Sequence, residues 1–393
     1  MTCVAHIVAA PEFARLILRH ELRHHGTGAT HVIIASPGPD LDALEAEGFQ
    51  VERVSIQRKL SPGADLISVL RLIGTLRRVR PDLLHTYTPK AGLLGQIAAA
   101  AVRIPRRVHG CRGLLYRPGL PAWRRWLFRQ TDRLTCALAQ RVLFVSKADL
   151  NRLVDDGLCL ETKARLTGNG IDLLLFGRNA RYEQERAATR AELGFRGDQV
   201  VVLTVGRFVA DKGFLDLAAA IKRLKTPLSH LRFLWVAPVI AGEGAALPSD
   251  LYDRAPLDSL VTRLGRRDDM RQIYQAADLL IHPSHREGTP RVLMEAAANG
   301  LPILASDIPG NREVVEFGRS ARAFPCMSPE GLAAALDQML ADPSSWGPMA
   351  DAARAEVFSR MDVTAVAGRV EGVYRELGLS IPMTQGEVAS GRI

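Results

Sequence analysis

Short β-rich runs alternate with helical patterns along almost the whole chain, and this alternation most constrains the fold. The runs THVIIAS, FQVERVSI, PDLLHTYT, RRVHG and RVLFVS in the first half, and QVVVLTVGRF, HLRFLWVAP, DLLIHPS and PILASD in the second, predict strands. Between them lie stretches such as ADLISVLRLIGTLRRVR, with apolar residues at helical spacing. Strands separated by helices are typical of βαβ units and parallel sheets. The sequence therefore predicts an α/β chain of two doubly wound, Rossmann-like domains that face a central cleft.

The length of the chain also favours two domains. Its 393 residues exceed the roughly 250 to 300 at which one hydrophobic core stops growing. The polar stretch NGIDLLLFGRNARYEQERAATRAELGF is the linker candidate, with a boundary near Gly177 to Arg190. We expect an N-terminal domain over residues 1–177 and a C-terminal domain over 178–362. Residues 381–393 form a polar tail without periodicity.

Positive charge is concentrated in the first half. Lys and Arg outnumber Asp and Glu by 25 to 15 over residues 1–175, against 26 to 27 over the remainder. Between Arg53 and Arg133, 17 basic residues face three acidic ones. A field of one sign on one domain indicates a polyanionic or membrane-bound partner; the alternative is a set of solvated helix faces.

Several classes of protein are excluded. The longest apolar run, Leu93 to Val102, falls short of the roughly 18 to 20 residues that a spanning helix needs. The N-terminus lacks the basic and apolar regions of a signal peptide and is predicted to form a first strand and turn, so we expect a cytoplasmic protein. The five scattered cysteines form no C-x-x-C pair, which argues against disulfides and zinc.

A first anion site is predicted in TVGRFVADKGF, at the end of a strand. Gly206 permits close backbone approach, Arg207 and Lys212 supply positive charge, and Lys212-Gly213 opens a helix. An arginine fork and a lysine point charge near a helix N-terminus suit a diphosphate. The alternative is an ordinary charged turn.

A second site is predicted around two carboxylates. Glu287 ends the loop after a strand, and Glu295 lies eight residues further along; if all of these residues were helical, the carboxylates would be about 12 Å apart along the axis. Each carboxylate can then hold a different polyhydroxylated part of one long ligand. The intervening N–H groups would meet its negative middle; these residues are Gly288, Thr289, Pro290 and Arg291. A nucleotide sugar has this layout. The alternative is a helix-dipole partner and a solvated loop residue.

The expected chemistry needs no cofactor and no metal. If the diphosphate of such a ligand departs in a reaction, it gathers negative charge, which Arg207 and Lys212 can stabilise. The pair Asp40 and Asp42 has the carboxylates that a divalent cation would need, but it lies in a polar loop that we expect to cap a helix.

The acceptor side is predicted in the basic first half. In LLYRPGLPAWRRWLFRQ the residues Trp123, Arg124 and Arg125 suit the headgroup level of an anionic membrane, unless the tryptophans face the core. At the strand end HTYTPKAG, Lys90 is a candidate for contact with an acceptor diphosphate, and His85 or Thr88 for lining the cleft.

Two other classes of function share some of these features. A nucleic-acid-binding protein would also explain a basic face with aromatic residues, but no RNA or DNA module is recognisable, and we expect no nucleic-acid partner. A dinucleotide-dependent dehydrogenase would share the doubly wound sheets, yet G-x-G-x-x-G is missing after the first strand.

Five segments resemble the family-four retaining glycosyltransferases of the two-domain glycosyltransferase-B (GT-B) fold: GRFVADKG, PSHREGTPRVLMEAAANGLPILASDIPGNREVV, HTYTPKAGLLGQIAA, FVSKADLNRLVDDGL and GNGIDLLLF. The resemblance is strongest to the branch for capsule, exopolysaccharide and lipid-linked oligosaccharides. It implies that Arg207 and Lys212 bind the donor diphosphate, that Glu287 binds the donor sugar and that Glu295 binds the ribose. A C-terminal helix within 363–380 would cross back onto the first domain.

The resemblance also implies the reaction. A hexose or N-acetylhexosamine would pass from a nucleotide sugar, with UDP favoured, to a polyprenyl-diphosphate-linked sugar at the inner face of the plasma membrane. In RVHGCRGLLY, where relatives place a histidine before the glycine, this chain has Arg112, with His109 three residues earlier. We favour Arg112 as the cleft residue, which fits retention without a protein base. An epimerase or hydrolase of the same fold is the close alternative.

Overall fold

The computed structural model describes residues 2–26, 28–57, 61–116, 120–239, 247, 251 and 256–381. The predicted polar tail lies outside the described residues from position 382 onward. The chain forms two compact units, Met1–Gly170 with Val363–Ile393, and Ile171–Asp362. The boundary between the two units therefore falls after Gly170, whereas the sequence predicts it at Gly177. The linker candidate contains a helix of the second unit, Tyr182–Glu192.

The first unit is built on a seven-stranded sheet with the order β3-β2-β1-β4-β5-β6-β7, in which every neighbouring pair is parallel. Its strands are β1 (Thr2–Ile7), β2 (Ala29–Ala35), β3 (Gln50–Arg53), β4 (Leu83–Tyr87), β5 (Arg106–Cys111), β6 (Arg141–Phe144) and β7 (Ala164–Leu166).

Helices connect these strands. They are α1 (Pro11–Phe13), α2 (Arg19–Arg23), α3 (Pro39–Ala46), α4 (Pro62–Val79), α5 (Pro89–Ala101), α6 (Ala122–Leu138) and α7 (Lys147–Asp155), with a π-helical turn at Ala14–Leu18. The last helix of the chain, α17 (Val363–Glu376), also belongs to this unit. Its residues Val370, Val373 and Tyr374 pack in one cluster with Val4 of β1 and Leu83 of β4.

The second unit repeats the plan with six parallel strands in the order β10-β9-β8-β11-β12-β13. Its strands are β8 (Val200–Val205), β9 (Leu231–Val236), β10 (Val261–Leu264), β11 (Leu279–His282), β12 (Ile303–Ser306) and β13 (Arg322–Phe324). Its helices are α8 (Leu173–Phe176), α9 (Tyr182–Glu192), α10 (Phe214–Ile221), α11 (Leu257–Leu260), α12 (Met270–Ala276), α13 (Arg291–Ala298), α14 (Pro309–Arg312), α15 (Pro329–Ala341) and α16 (Trp346–Arg360).

Both faces of the second sheet are covered, as a parallel sheet requires. Alternate residues of β8 enter different cores: Val201 and Leu203 pack in one cluster, whereas Val202 packs in the other. Successive side chains of a strand point to opposite faces, so a continuous run of buried valines and leucines supplies both cores. The prediction of two doubly wound Rossmann-like domains is confirmed.

The strand order locates the ligand edge of the second unit. The chain starts in the middle of the sheet at β8, winds outward to β10, and then returns to place β11 on the other side of β8. Ligands of doubly wound sheets bind outside the carboxyl ends of the strands at such a reversal. The segments that follow β8 and β11 are therefore where chemistry is expected.

A network of buried histidines and tyrosines lies within the first unit. The imidazole of His6 hydrogen-bonds His31 at 2.9 Å and the hydroxyl of Tyr87 at 3.1 Å. The Nδ1 atom of His85 lies 3.0 Å from the Tyr87 hydroxyl and 2.6 Å from the hydroxyl of Tyr374 on α17. Burial lowers the pKa of His6 and His85 well below 6.5. Neighbouring imidazoles add to this effect at His6, and the charge of Arg112 adds to it at His85.

These histidines predict that the first unit loses stability in mild acid. Burial lowers the pKa of His31 and His109 to about 4, from 6.5 in an unfolded chain. Because the unfolded state then binds more protons, the free energy of unfolding should fall with pH below about 6.5, by up to about 1.4 kcal/mol per pH unit for each histidine. Urea unfolding of the full chain, followed by circular dichroism across this range, measures the slope.

The variant His31→Gln removes one titrating group and can keep a hydrogen bond to His6. Its unfolding free energy should fall less steeply with acidification than that of the wild type. An unfolding free energy that does not change between pH values of about 6.5 and about 5 would contradict the prediction.

Candidate active site

The segment after β8 carries the predicted cations. Gly206 donates its N–H to the carbonyl of Val236 at 3.0 Å, and half-buried Arg207 follows it. The chain then makes a 3₁₀ turn, Ala210–Lys212, and Gly213 caps the N-terminus of α10. The helix thus begins one residue after the predicted Lys212-Gly213 pair, with Lys212 at the end of the turn.

The loops after β8 and β11 are packed directly against each other. Gly213 has a φ of +73°, and a Cβ atom there would lie 2.0 Å from the carbonyl oxygen of Pro283, so no other residue fits without a shift. The N–H of His285 and the hydroxyl of Ser284 both donate to the carbonyl of Asp211, at 2.8 and 3.2 Å. The two predicted sites are therefore parts of one site.

The closest contact in this site joins Lys212 to Glu287. The Nζ atom of Lys212 lies 2.5 Å from Oε1 of Glu287, and the two side chains are only 15% and 16% exposed. The Nε2 atom of His282, the last residue of β11, lies 3.3 Å from the same oxygen. Burial alone would raise the pKa of Glu287, but the charge of Lys212 and the contact with His282 outweigh it and hold this pKa well below its usual range.

Glu295 lies on α13 and is buried. The hydroxyl of Tyr274 donates to its Oε2 at 2.9 Å, and Nε of Arg291 lies 3.4 Å from its Oε1. Burial raises the pKa of Glu295 above 4.5, although Arg291 and Tyr274 act in the opposite direction. A buried carboxylate with two hydrogen-bonding neighbours is suited to accept hydroxyl donors from a ligand.

The path between the two carboxylates is not a helix. The helix α13 begins at Arg291 with Pro290 as its N-cap, so Glu287, Gly288 and Thr289 lie in an irregular loop. The helical estimate of about 12 Å therefore does not apply. Pro290 also lacks an N–H, which leaves Gly288, Thr289 and Arg291 as the backbone donors in this stretch.

The turn after β12 packs against the backbone of this loop. A Cβ atom on Gly310 would lie 2.4 Å from the carbonyl oxygen of Glu287 and 2.8 Å from that of Gly288. Only a glycine allows so close an approach, and the segment ASDIPGNREVV that contains it was part of the predicted motif.

Two residues of the site escaped the sequence analysis. Tyr274 lies 21 positions before Glu295 in sequence, on α12, and no local pattern marks it. His282 directly precedes the motif PSHREGTP and could have been noticed as a polar residue at the end of an apolar strand.

In the first unit, Arg112 follows β5 and is held in place by other side chains. Its guanidinium donates to both oxygens of Glu21, at 2.6 and 2.8 Å, and to Oδ1 of Asn169 at 3.2 Å. It also lies over the rings of Phe13 and Tyr87, 5.5 and 5.6 Å from their centroids. The residue is thus a fixed, half-buried cation.

The two candidate histidines of this unit are buried. His109 hydrogen-bonds Thr86 at 3.1 Å and packs so closely on α5 that a Cβ on Gly92 would lie 2.5 Å from its ring. His109 is only 6% exposed. Its role as a cleft or acceptor contact stays a prediction. His85 lines a small cavity beside Arg112, and its Nε2 has no hydrogen-bond partner within the described part of the chain.

The remaining acceptor candidates lie on helices. Lys90, in the first turn of α5, forms an ion pair with Asp65 at 2.7 Å. On α6, Trp123 and Trp126 are 60% and 63% exposed, and the guanidinium of Arg124 lies 5.0 Å from the Trp123 ring centroid. The alternative that these tryptophans face the core is therefore wrong. Arg125 on the same helix is exposed.

The metal candidates have other partners. Asp40 and Asp42 lie in the first turn of α3, where no side chain caps the helix, and they pair with Arg15 at 3.0 Å and Arg53 at 2.7 Å. Within the described ranges, no group of three or more His, Cys, Asp or Glu residues is arranged to hold a metal ion. Among the same residues, no helix combines the length and apolarity needed to cross a membrane.

The pair of Lys212 and Glu287 yields a stability prediction. Replacing Lys212 by Met should lower the free energy of unfolding by up to about 3 to 5 kcal/mol, because it removes the main counter-charge of a buried carboxylate. The double variant Lys212→Met/Glu287→Gln should recover most of this loss. Chemical denaturation of the full chain measures both.

The matched control is the exposed ion pair between Arg223 and Glu330, whose atoms lie 3.0 Å apart. Replacing Arg223 by Ala should cost less than about 1 kcal/mol, as is usual for surface pairs. If Lys212→Met costs no more than this control, Glu287 does not depend on Lys212 in the folded protein.

The chain is similar to known proteins over most of its length. Residues 199–342 match the family described as glycosyl transferases group 1, and residues 16–170 match a glycosyl transferase 4-like domain. The chain is 31% identical to a glycogen synthase of Mycobacterium tuberculosis over 322 residues, 78% of this chain and 71% of that protein.

Two further similarities cover most of the chain. A UDP-Gal:α-D-GlcNAc-diphosphoundecaprenol α-1,3-galactosyltransferase of Escherichia coli is 26% identical over 289 residues, 73% of each chain. The crystal structure of Anabaena HepE in complex with UDP and glucose superposes with a TM-score of 0.80 at 21% identity, over 96% of this chain and 100% of that one. Together with the family matches, these findings show that the chain belongs to the group 1 glycosyltransferases and has the GT-B fold.

Proposed function

We propose that this glycosyltransferase moves a hexose or N-acetylhexosamine from a UDP-sugar to a polyprenyl-diphosphate-linked sugar, with retention of configuration and without a metal ion. The observation that carries the proposal is the contact between Lys212 and Glu287, which follow the carboxyl ends of the adjacent strands β8 and β11. It brings a cation for a diphosphate and a carboxylate for a sugar to the ligand edge of one sheet.

The donor would lie along the carboxyl edge of the second unit. Its diphosphate would contact Lys212 and Arg207, which follow one strand, and its sugar hydroxyls would donate to Glu287, which follows the next. Glu295, buried beside Tyr274 at 2.9 Å, would accept hydrogen bonds from the ribose hydroxyls. The similar structure of HepE contains UDP and glucose, which supports a uridine nucleotide.

The chemistry would rest on charge stabilisation of the leaving group. Fixed cations at Lys212 and Arg207 can stabilise the departing diphosphate without a divalent metal. Burial raises the pKa of Glu287, but Lys212 and His282 lower it by more. The resulting low pKa makes this carboxylate a poor base. This favours a retaining reaction in which an oxygen of the leaving phosphate accepts the proton of the acceptor hydroxyl.

The acceptor would be a polyprenyl diphosphate carrying a sugar, in the assembly of a bacterial surface glycan. The relative from Escherichia coli acts on a diphosphoundecaprenol sugar, as its name states. In the first unit, exposed Trp123 and Trp126 stand among arginines on α6, which suits an anionic membrane surface at the inner face of the plasma membrane. A cytoplasmic enzyme held at this surface would meet a lipid-linked acceptor.

A panel of UDP-sugars tests the donor site. UDP-glucose, UDP-galactose and their N-acetylated forms should raise the melting temperature of the full chain to different extents, and EDTA should not change the shift. Glu295→Ala should weaken donor binding, and Lys212→Ala should mainly lower kcat, by roughly a hundredfold to a thousandfold for one lost stabilising contact.

Glu330→Ala, which removes a carboxylate that is 68% exposed, is the control and should behave as the wild type. Wild-type activity in both Glu295→Ala and Lys212→Ala would refute the site. Free sugar or an altered nucleotide sugar, formed from the donor alone, would favour the hydrolase or epimerase alternative.

Vesicle binding tests the membrane surface. The double variant Arg124→Gln/Arg125→Gln should bind anionic vesicles about 30-fold more weakly, because each basic residue near such a surface contributes about 1 kcal/mol. The double variant Trp123→Ala/Trp126→Ala should also bind more weakly. Co-sedimentation with vesicles of mixed anionic and neutral lipid measures both effects.

The control is Leu174→Ala, which removes a side chain of the second unit that is 92% exposed and should leave vesicle binding unchanged. Equal binding of the wild type to neutral and anionic vesicles would contradict the proposed membrane surface.

A further inference from the structure

The imidazole of His282 is a buried group to which the proposed reaction assigns no contact with the donor or the acceptor. The residue is 2% exposed at the end of β11, and its Nε2 atom lies 3.3 Å from Oε1 of Glu287. This nitrogen makes no hydrogen bond to any residue that the structure describes. Because buried polar atoms are nearly always hydrogen-bonded, an unsatisfied nitrogen beside a carboxylate calls for a physical explanation.

The explanation begins with Lys212, which occupies the same oxygen of Glu287 at 2.5 Å. A positive charge on His282 would stand beside the Lys212 ammonium, and like charges at this distance repel. With Lys212 in place, Glu287 already has a counter-charge that lies closer to it than the imidazole does.

Other titratable groups near the loop are engaged elsewhere. His285 lies 2.6 Å from a carboxylate oxygen of Asp216, and Arg286 lies 3.2 Å from one of Asp211. The imidazole of His282 thus differs from that of His285, which already has its own carboxylate.

Donor binding changes this balance if the proposed function is right. The diphosphate would draw the ammonium of Lys212 toward itself, and Glu287 would lose its main counter-charge while remaining buried. An uncompensated buried carboxylate is strongly unfavourable. The nitrogen of His282 is already within reach of the same oxygen.

We propose that His282 takes up one proton from solvent when a nucleotide sugar binds, so that its imidazolium replaces Lys212 as the partner of Glu287. His282 would act as a positioning residue, holding the Glu287 carboxylate toward the sugar hydroxyls while Lys212 serves the diphosphate. The inference rests on the proposed donor site. The proton adds to Nε2, no covalent bond between heavy atoms is made or broken, and the donor is chemically unchanged.

The proposal gives binding a defined pH dependence. If one proton is taken up on binding, the donor affinity rises as the pH falls, by up to about tenfold per pH unit. UDP-glucose and UDP-galactose are suitable probes, because their doubly substituted diphosphate has no group that titrates near neutral pH.

Isothermal titration calorimetry of the full chain tests the proposal without any variant. Titrations with UDP-glucose, or with UDP-galactose where that sugar binds more tightly, are run at one near-neutral pH in buffers of different ionisation enthalpy. The dependence of the observed enthalpy on the buffer gives the number of protons exchanged. We expect uptake close to one proton per bound nucleotide sugar.

Two variants assign the proton to a residue. His282→Gln can keep an N–H donor directed at Glu287 but cannot be protonated. Its affinity for the donor should therefore not depend on pH, and it should match that of the wild type at alkaline pH, where the wild type takes up no proton. His285→Asn, in the same loop, should retain the proton uptake.

The outcomes separate the inference from the proposed function. Binding to the wild type without proton uptake would overturn the inference and leave the donor site standing. Proton uptake that persists in His282→Gln, or that disappears in His285→Asn alone, would also overturn it. A wild type that binds no UDP-sugar at all would overturn both.

Discussion

The candidate site depends on the close packing of two loops at one edge of a parallel sheet. β11 lies beside β8, with Leu279 opposite Val202, so the chain leaves both strands at the same edge. A glycine at position 213 then allows the carbonyl of Pro283 to approach where any Cβ would stand 2.0 Å away. This contact brings together Lys212 and Glu287, which are 75 residues apart in sequence. Their ion pair is thus a product of backbone packing.

The pair gives the candidate site an internal charge balance. Lys212 and Glu287 neutralise each other in a buried position. Such a pair adds little net stability, but the loss of one partner destabilises the protein strongly. A ligand that carries both a diphosphate and a polyhydroxylated sugar can satisfy both partners at once, whereas phosphate alone would satisfy only the lysine. Under the proposed function, the arrangement would favour a whole nucleotide sugar over its fragments, and this preference would follow from the position of two side chains.

The sequence predicted the interior of both sheets well, because β-branched and apolar runs are long where strands are buried on both faces. The edge strands β7, β10 and β13 were missed, since each has only three or four residues with little apolar pattern. The cations and carboxylates of the second unit could be named from local motifs. Tyr274 and the burial of His109 could not, because contacts between distant parts of the chain determine them.

The last helix has a consequence for how the protein is made. Val370, Val373 and Tyr374 of α17 complete a core that begins with Val4, although the whole second unit lies between them in sequence. During synthesis on the ribosome, the second unit can close its own cores while the first still exposes the apolar side chains that α17 will cover. The unit whose residues emerge first is therefore completed last. A chain halted after Asp362 would have complete cores in the second unit and an incomplete core, without α17, in the first.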